Sequence, residues 1–121
     1  IEVTLSFVRA ADGSYPLIYG TWINGDGDYD RIDGSEIQLT PTGEWTSPHT
    51  GAVWPSGWEL RIPTRGLQVT ITPDVKDQEL DTRATTGVIY WEGSNVVRGS
   101  LNGRPVRGDA YVELTGYASL R

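Results

Sequence analysis

The chain has 121 residues, a single histidine (His49), no cysteine and no methionine. Sixteen carboxylates against ten basic residues give a net charge of −6, which excludes the basic surface that nucleic-acid phosphates require. Without cysteine there is no disulfide, zinc–thiolate site, iron–sulfur cluster or thiol nucleophile.

The length is that of about one domain, and residues 1–121 are read as one. No apolar window approaches the roughly 18 residues of a membrane span. A start at Ile1-Glu2-Val3 rather than at a methionine leads us to expect a processed product, an excised domain or a fragment.

The hydrophobic period is 2. Val3, Leu5 and Phe7 alternate with Glu2, Thr4 and Ser6, the signature of a half-buried strand, and Ala11-Asp12-Gly13-Ser14 supplies the turn after it. A second strand covers residues 15–23 and breaks at Gly25-Asp26-Gly27-Asp28. Residues 36–40 alternate again and stop at Pro41, whereas 46–57, with two prolines and two glycines, reads as loop. Strands at 58–62 and 67–71 end at Pro63 and Pro73. A polar connection then runs over 74–86. The next strand, 88–92, is expected to break at Gly93, with a short strand following at 95–98. Asn102-Gly103 is the strongest hairpin signal, and the last strand is placed at 110–117. Seven to nine short strands and no helical periodicity mean an all-β sandwich or antiparallel barrel.

Three motifs resolve to ordinary roles. Asp26, Asp28, Asp30, Asp33 and Glu36 resemble a calcium loop, but the glycine and glutamate positions hold Arg31 and Ile37, so the segment reads as a solvated hairpin loop. His49 has no partner motif for a metal or a nucleophile and reads as a loop histidine. Acids flank Gly25 and Gly27, which would repel a phosphate. No metal and no cofactor is expected.

The informative stretch is the C-terminal quarter. Tyr90-Trp91-Glu92-Gly93 puts Tyr90 and Glu92 on one side of a strand and Trp91 on the other. In Tyr111-Val112-Glu113-Leu114-Thr115-Gly116-Tyr117 the alternation groups Tyr111, Glu113 and Tyr117 on one face, opposite Val112 and Leu114. Aromatic bodies with polar tips suit a ligand cavity or an interface.

At these residues the chain resembles the C-terminal barrel of the AttH and carotenoid 1,2-hydratase group of lipocalin-like proteins. The resemblance also runs through Arg9-Ala10-Ala11-Asp12-Gly13-Ser14, Trp45-Thr46-Ser47, Trp58-Glu59-Leu60-Arg61-Ile62-Pro63 and Asp77-Gln78-Glu79-Leu80. It implies an antiparallel lipocalin-like β-barrel, normally the second of two in one polypeptide, in a bacterial protein that is periplasmic or secreted, with a cytoplasmic place left open. Trp54-Pro55 stands where the group has Tyr-Pro, and Gly108-Asp109-Ala110-Tyr111 where it has Gly-x-Gly-Tyr. The group's Trp-rich preceding strand and first barrel have no counterpart, which implies an incomplete barrel whose open edge is filled by a second barrel in cis or trans.

Three functions follow from the resemblance. The first is binding of an apolar small molecule (lipid, isoprenoid or polyketide-like) by Tyr90, Trp91, Glu92, Tyr111, Glu113 and Tyr117. The second is an enzyme that hydrates an isoprenoid double bond or cyclises a polyene. There Glu92 would be the proton donor, with Tyr90 beside it and Glu113 in reserve. The third is docking onto a partner barrel. Binding leads, because no stand-alone catalytic motif is present.

Overall fold

The computed structural model describes residues 1–119. Among the described residues there are eleven antiparallel strands: β1 (Glu2–Val8), β2 (Leu17–Ile23), β3 (Tyr29–Asp33), β4 (Gln38–Pro41), β5 (Glu44–Thr46), β6 (Val53–Pro55), β7 (Trp58–Ile62), β8 (Leu67–Pro73), β9 (Glu79–Asp81), β10 (Ile89–Leu101) and β11 (Arg104–Leu114). One sheet has the order β1-β2-β3. A second runs β11-β10-β8-β7-β4, with β9 also beside β10, and β5–β6 forms a hairpin. Among the described residues no ladder joins β1 or β3 to the larger sheet, so the barrel stays open.

Alternation places the core. Leu60, Ile62, Leu67 and Val69 of the large sheet meet Trp22 and Ile32 of the small one, with Val3, Leu5 and Phe7 packed against them. A second cluster joins Trp54, Trp58 and Trp91 to Ala52 and Ile89. Four of the five tryptophans are thus buried: Trp22 in the otherwise aliphatic cluster between the two sheets, and Trp54, Trp58 and Trp91 between the large sheet and the β5–β6 hairpin. Each ring removes on the order of 200 Å² of apolar surface from water, so these four are the largest single contributions to the burial that holds the fold.

Three expectations are corrected. Residues 29–33 form a strand, not part of a solvated loop. β3 pairs β2 from Tyr19↔Asp33 to Ile23↔Tyr29, and its one fully buried side chain, Ile32, is hidden among charges that suit an edge. The acids of this stretch are spent locally: Asp26 accepts from the Asp28 N–H, Asp30 pairs with Arg65 at 3.0 Å, and Asp33 caps the short 3-10 turn at Gly34–Glu36.

Gly93 does not end its strand either. β10 runs unbroken and changes partner there, pairing β9 over residues 89–91 and β8 over 95–101. Between them the Gln78 side chain stands in for a strand: its amide donates to Ser94 O and accepts from Ser94 N at 3.0 and 2.8 Å. A Cβ at Gly93 would run into that side chain, which is why glycine occupies the crossing. Finally, the last strand lies at 104–114 rather than 110–117. The Asn102-Gly103 turn, with φ of 51° and 78°, makes the expected hairpin.

Candidate functional site

The six C-terminal candidates divide between two faces. Tyr90 and Glu92 are half-buried on the outer face of β10, and Tyr111 and Glu113 lie on the outer face of β11. Glu92 is directly opposite Glu113. Tyr111 is 68% exposed, and loss of hydration, its contact with Glu92 and the two carboxylate charges hold its phenol above the ordinary tyrosine range. With Tyr111 and Glu113 exposed, this face is a polar–aromatic surface. Trp91 points the other way. Its ring is wholly buried, edge-on to Trp58 at 6.2 Å, and its indole N–H donates to Lys76 O at 2.8 Å.

Tyr117 does not share a face with Tyr111 and Glu113. β11 ends at Leu114, and Gly116, with φ of 84°, turns the chain back toward the core. The Tyr117 ring packs on Trp54 at 5.7 Å between centroids, under the Arg9 guanidinium at 4.6 Å. Arg9 also donates to Gly116 O at 3.3 Å, and the Tyr15 and Tyr117 hydroxyls are 3.4 Å apart. Desolvation, followed by the hydrogen bond with Tyr15, pushes the Tyr117 phenol up to about 12. It is therefore a neutral hydroxyl over the whole physiological range.

Beside Tyr117 lies an open groove of about 320 Å³, lined by Arg9, Pro41, Gly43, Glu44, Val53, Pro55 and Tyr117. Its walls are mainly apolar, and one cation and one carboxylate sit among them. A second depression of about 230 Å³ is polar, formed by Gln38, Thr40, Glu59 and Arg61 on the outer side of β4 and β7. The first has the composition of a small-molecule site: apolar walls with a few polar groups to fix orientation.

A hydrogen-bonded hub braces the groove from behind. The Glu79 carboxylate accepts from Ser47 Oγ (2.7 Å), Thr50 Oγ1 (2.8 Å) and Trp54 Nε1 (2.7 Å). Glu79 thereby fixes the 47–50 loop and the Trp54 ring on which Tyr117 rests. Nearby, His49 Nε2 meets Asp77 Oδ2 at 2.8 Å in the open. Ser47, His49 and Asp77 do not form a nucleophilic triad. The Ser47 hydroxyl is given to Glu79, accepts the N–H groups of His49 and Thr50 at 3.1 Å, and is buried. Among the described residues no cluster of three or more His, Asp or Glu is placed to hold a metal, and no helix is long and apolar enough to cross a membrane.

Arg9, Val53 and Glu79 are the residues that the sequence reading passed over. Arg9 and Glu79 had a signal only as members of the Arg9-Ala10-Ala11-Asp12-Gly13-Ser14 and Asp77-Gln78-Glu79-Leu80 segments, and nothing there tied Arg9 to Tyr117 or Glu79 to Trp54.

This is an all-β lipocalin-like barrel, open where its two sheets are not joined by ladders, with a groove at the turn after its last strand. The family model described as AttH-like matches residues 2–117, and the chain belongs to that family. Among solved structures, an AttH protein from Nitrosomonas europaea is similar with a TM-score of 0.78 and 32% identity, over 96% of this chain and 35% of that one. Kievitone hydratase from Nectria haematococca is similar in fold, with a TM-score of 0.74 and 18% identity, over 98% of this chain and 35% of that one. The chain thus spans about a third of the length of each. No curated protein matches the sequence.

Proposed function

We propose that this chain is a ligand-holding module. It binds an apolar small molecule with one polar end (a lipid, isoprenoid or polyketide-like compound) in the groove beside Tyr117. The observation that carries this reading is the pairing of an apolar groove with a Tyr–Arg cap whose ring and guanidinium are both held in place. The space between the sheets is filled by aliphatic side chains and Trp22, and that under the hairpin by three further indoles, so the ligand lies on the barrel rather than inside it. At about 320 Å³ the groove sits at the small end of the usual ligand-site range of roughly 300–1,000 Å³. It therefore grips one end of an elongated molecule, and a second lipocalin-like barrel supplies the other wall.

Intrinsic tryptophan fluorescence, with Trp54 under the groove, tests this by titration with a polyene fatty acid. We expect saturable one-to-one quenching. Val53→Asp, at a half-exposed wall position outside the core, is expected to weaken it at least about tenfold, the equivalent of ~1.4 kcal/mol. Tyr29→Ser, on the opposite sheet, should not. Equal binding by Val53→Asp rejects the groove.

A second reading is favoured by the cluster of Tyr90, Glu92, Tyr111 and Glu113 on one face, and by the hydratase among the structural neighbours. Alkene hydration needs a carboxylic acid to protonate the double bond and a water to trap the cation. The acid stays protonated only if kept dry, so this face must be covered by a further part of a longer protein. In the covered enzyme Glu92→Gln should abolish turnover and spare binding. Undiminished turnover excludes Glu92 as the acid.

A further inference from the structure

β11 is an edge. It pairs β10 along its whole length, from Leu114↔Trp91 to Arg104↔Leu101, and among the described residues nothing pairs with its other side. Its outer face carries the exposed Arg107, Asp109, Tyr111 and Glu113, while Val106, Ala110, Val112 and Leu114 are half-buried on the inner face.

The charges on this hairpin are set against one another. Arg107 stands directly opposite Arg98, and Glu113 directly opposite Glu92. Like charges across a ladder are destabilising. Among the described residues none of these four has an ion-pair partner. Two like-charge pairs, opposite in sign and on one outer face, therefore border an unpaired edge, and neither is offset by an opposite charge, the Tyr111 phenol being hydrogen-bonded to Glu92.

We propose that β11 pairs with β11 of a second copy of this chain, antiparallel about a two-fold axis through Ala110. In that register Arg107 faces Glu113 of the second copy, and Glu113 faces its Arg107. The outer face then reads Arg98, Arg107, Glu113, Glu92 across the seam, and each repelled pair gains the opposite charge beside it. On the inner face Val106 meets Leu114 and Ala110 meets itself, so the apolar side continues from one copy into the next.

The alternatives are excluded by the same residues. An odd shift would put one copy's apolar face on the other's polar side. A slip of two residues one way places Asp109 against Asp109 and brings Pro105, which has no N–H to give, into the ladder. The slip the other way places Asp109 against Glu113. A charged edge ordinarily blocks association. Of the registers within two residues of it, only the one centred on Ala110 matches the charges, which is how charges produce specificity rather than mere repulsion. The inference is independent of the groove.

Sedimentation of the chain over a concentration series tests it. We expect a reversible monomer–dimer equilibrium. Arg107→Glu alone and Glu113→Arg alone should each weaken it at least about tenfold, because each sets like charges face to face twice across the seam. The double variant with both reversals should restore it. Both single changes also relieve a repulsion inside the monomer, so thermal unfolding should show each to be folded and no less stable than the parent. A parent that stays monomeric throughout, single reversals that leave the dimer intact, or a double variant that fails to recover it would each overturn the proposal.

Discussion

Replacing Glu79 by alanine is expected to cost about 3 kcal/mol of folding stability, read as a lower urea midpoint at an unchanged slope. Three donors converge on this carboxylate, and two of them belong to the buried residues Ser47 and Trp54. Removing the acceptor leaves those donors facing protein rather than water. An unsatisfied buried donor costs about 1–3 kcal/mol, more than the bond itself contributed. Glu79→Gln keeps the shape and one acceptor oxygen, which can still take the Thr50 hydroxyl and the Trp54 indole N–H, so that only the Ser47 bond is lost. It should cost about 1 kcal/mol. A loss for alanine no larger than for glutamine would mean that the hub is solvated rather than buried. The exposed His49–Asp77 pair next to it contributes little either way, since surface ion pairs are typically worth ~0–1 kcal/mol. The consequence reaches the groove, because Trp54 holds Tyr117 and Tyr117 forms the groove wall.

That chain of contacts explains which parts of the molecule could be read before its structure. The strands at 58–62 and 67–71 follow from local alternation, and so does the Asn102-Gly103 turn, whose positive φ values need only those two residues. The AttH resemblance was equally legible, being carried by short motifs in order. What escaped was set by partners far along the chain. Gly93 looks like a strand end, but it is the point where β10 passes from β9 to β8 under the Gln78 side chain. β3 is too charged to look like a strand because only Ile32 of it enters the core. The three-residue strands β5 and β6 carry no period that a reader could detect. Alternation carried past Leu114 put Tyr117 on the wrong face, since Gly116 ends the period. Glu79 became visible as a hub only when residues 47, 50 and 54 were folded onto it.

The tryptophan interior gives the other large expected effect, and it bears on where a ligand can go. Trp91→Ala should cost about 3–5 kcal/mol, the range for truncating a fully buried aromatic ring. The ring's edge-on contact with Trp58 and its bond to Lys76 O are lost together. The void lies among Trp54, Trp58, Ala52 and Ile89, which are rigid and largely apolar, so it should stay open and dry rather than collapse. Free indole added to the variant should then bind in the void and raise its urea midpoint in proportion to the logarithm of indole concentration. The unmodified chain, already filled at that place, should show no such response. If indole stabilised the unmodified chain to the same extent, the interior would itself be a ligand cavity, and the groove beside Tyr117 would lose its standing as the binding place. If it stabilises only the variant, Trp91 occupies the room that an open lipocalin-like barrel would otherwise offer a guest, and a natural ligand is left with the outside of the barrel.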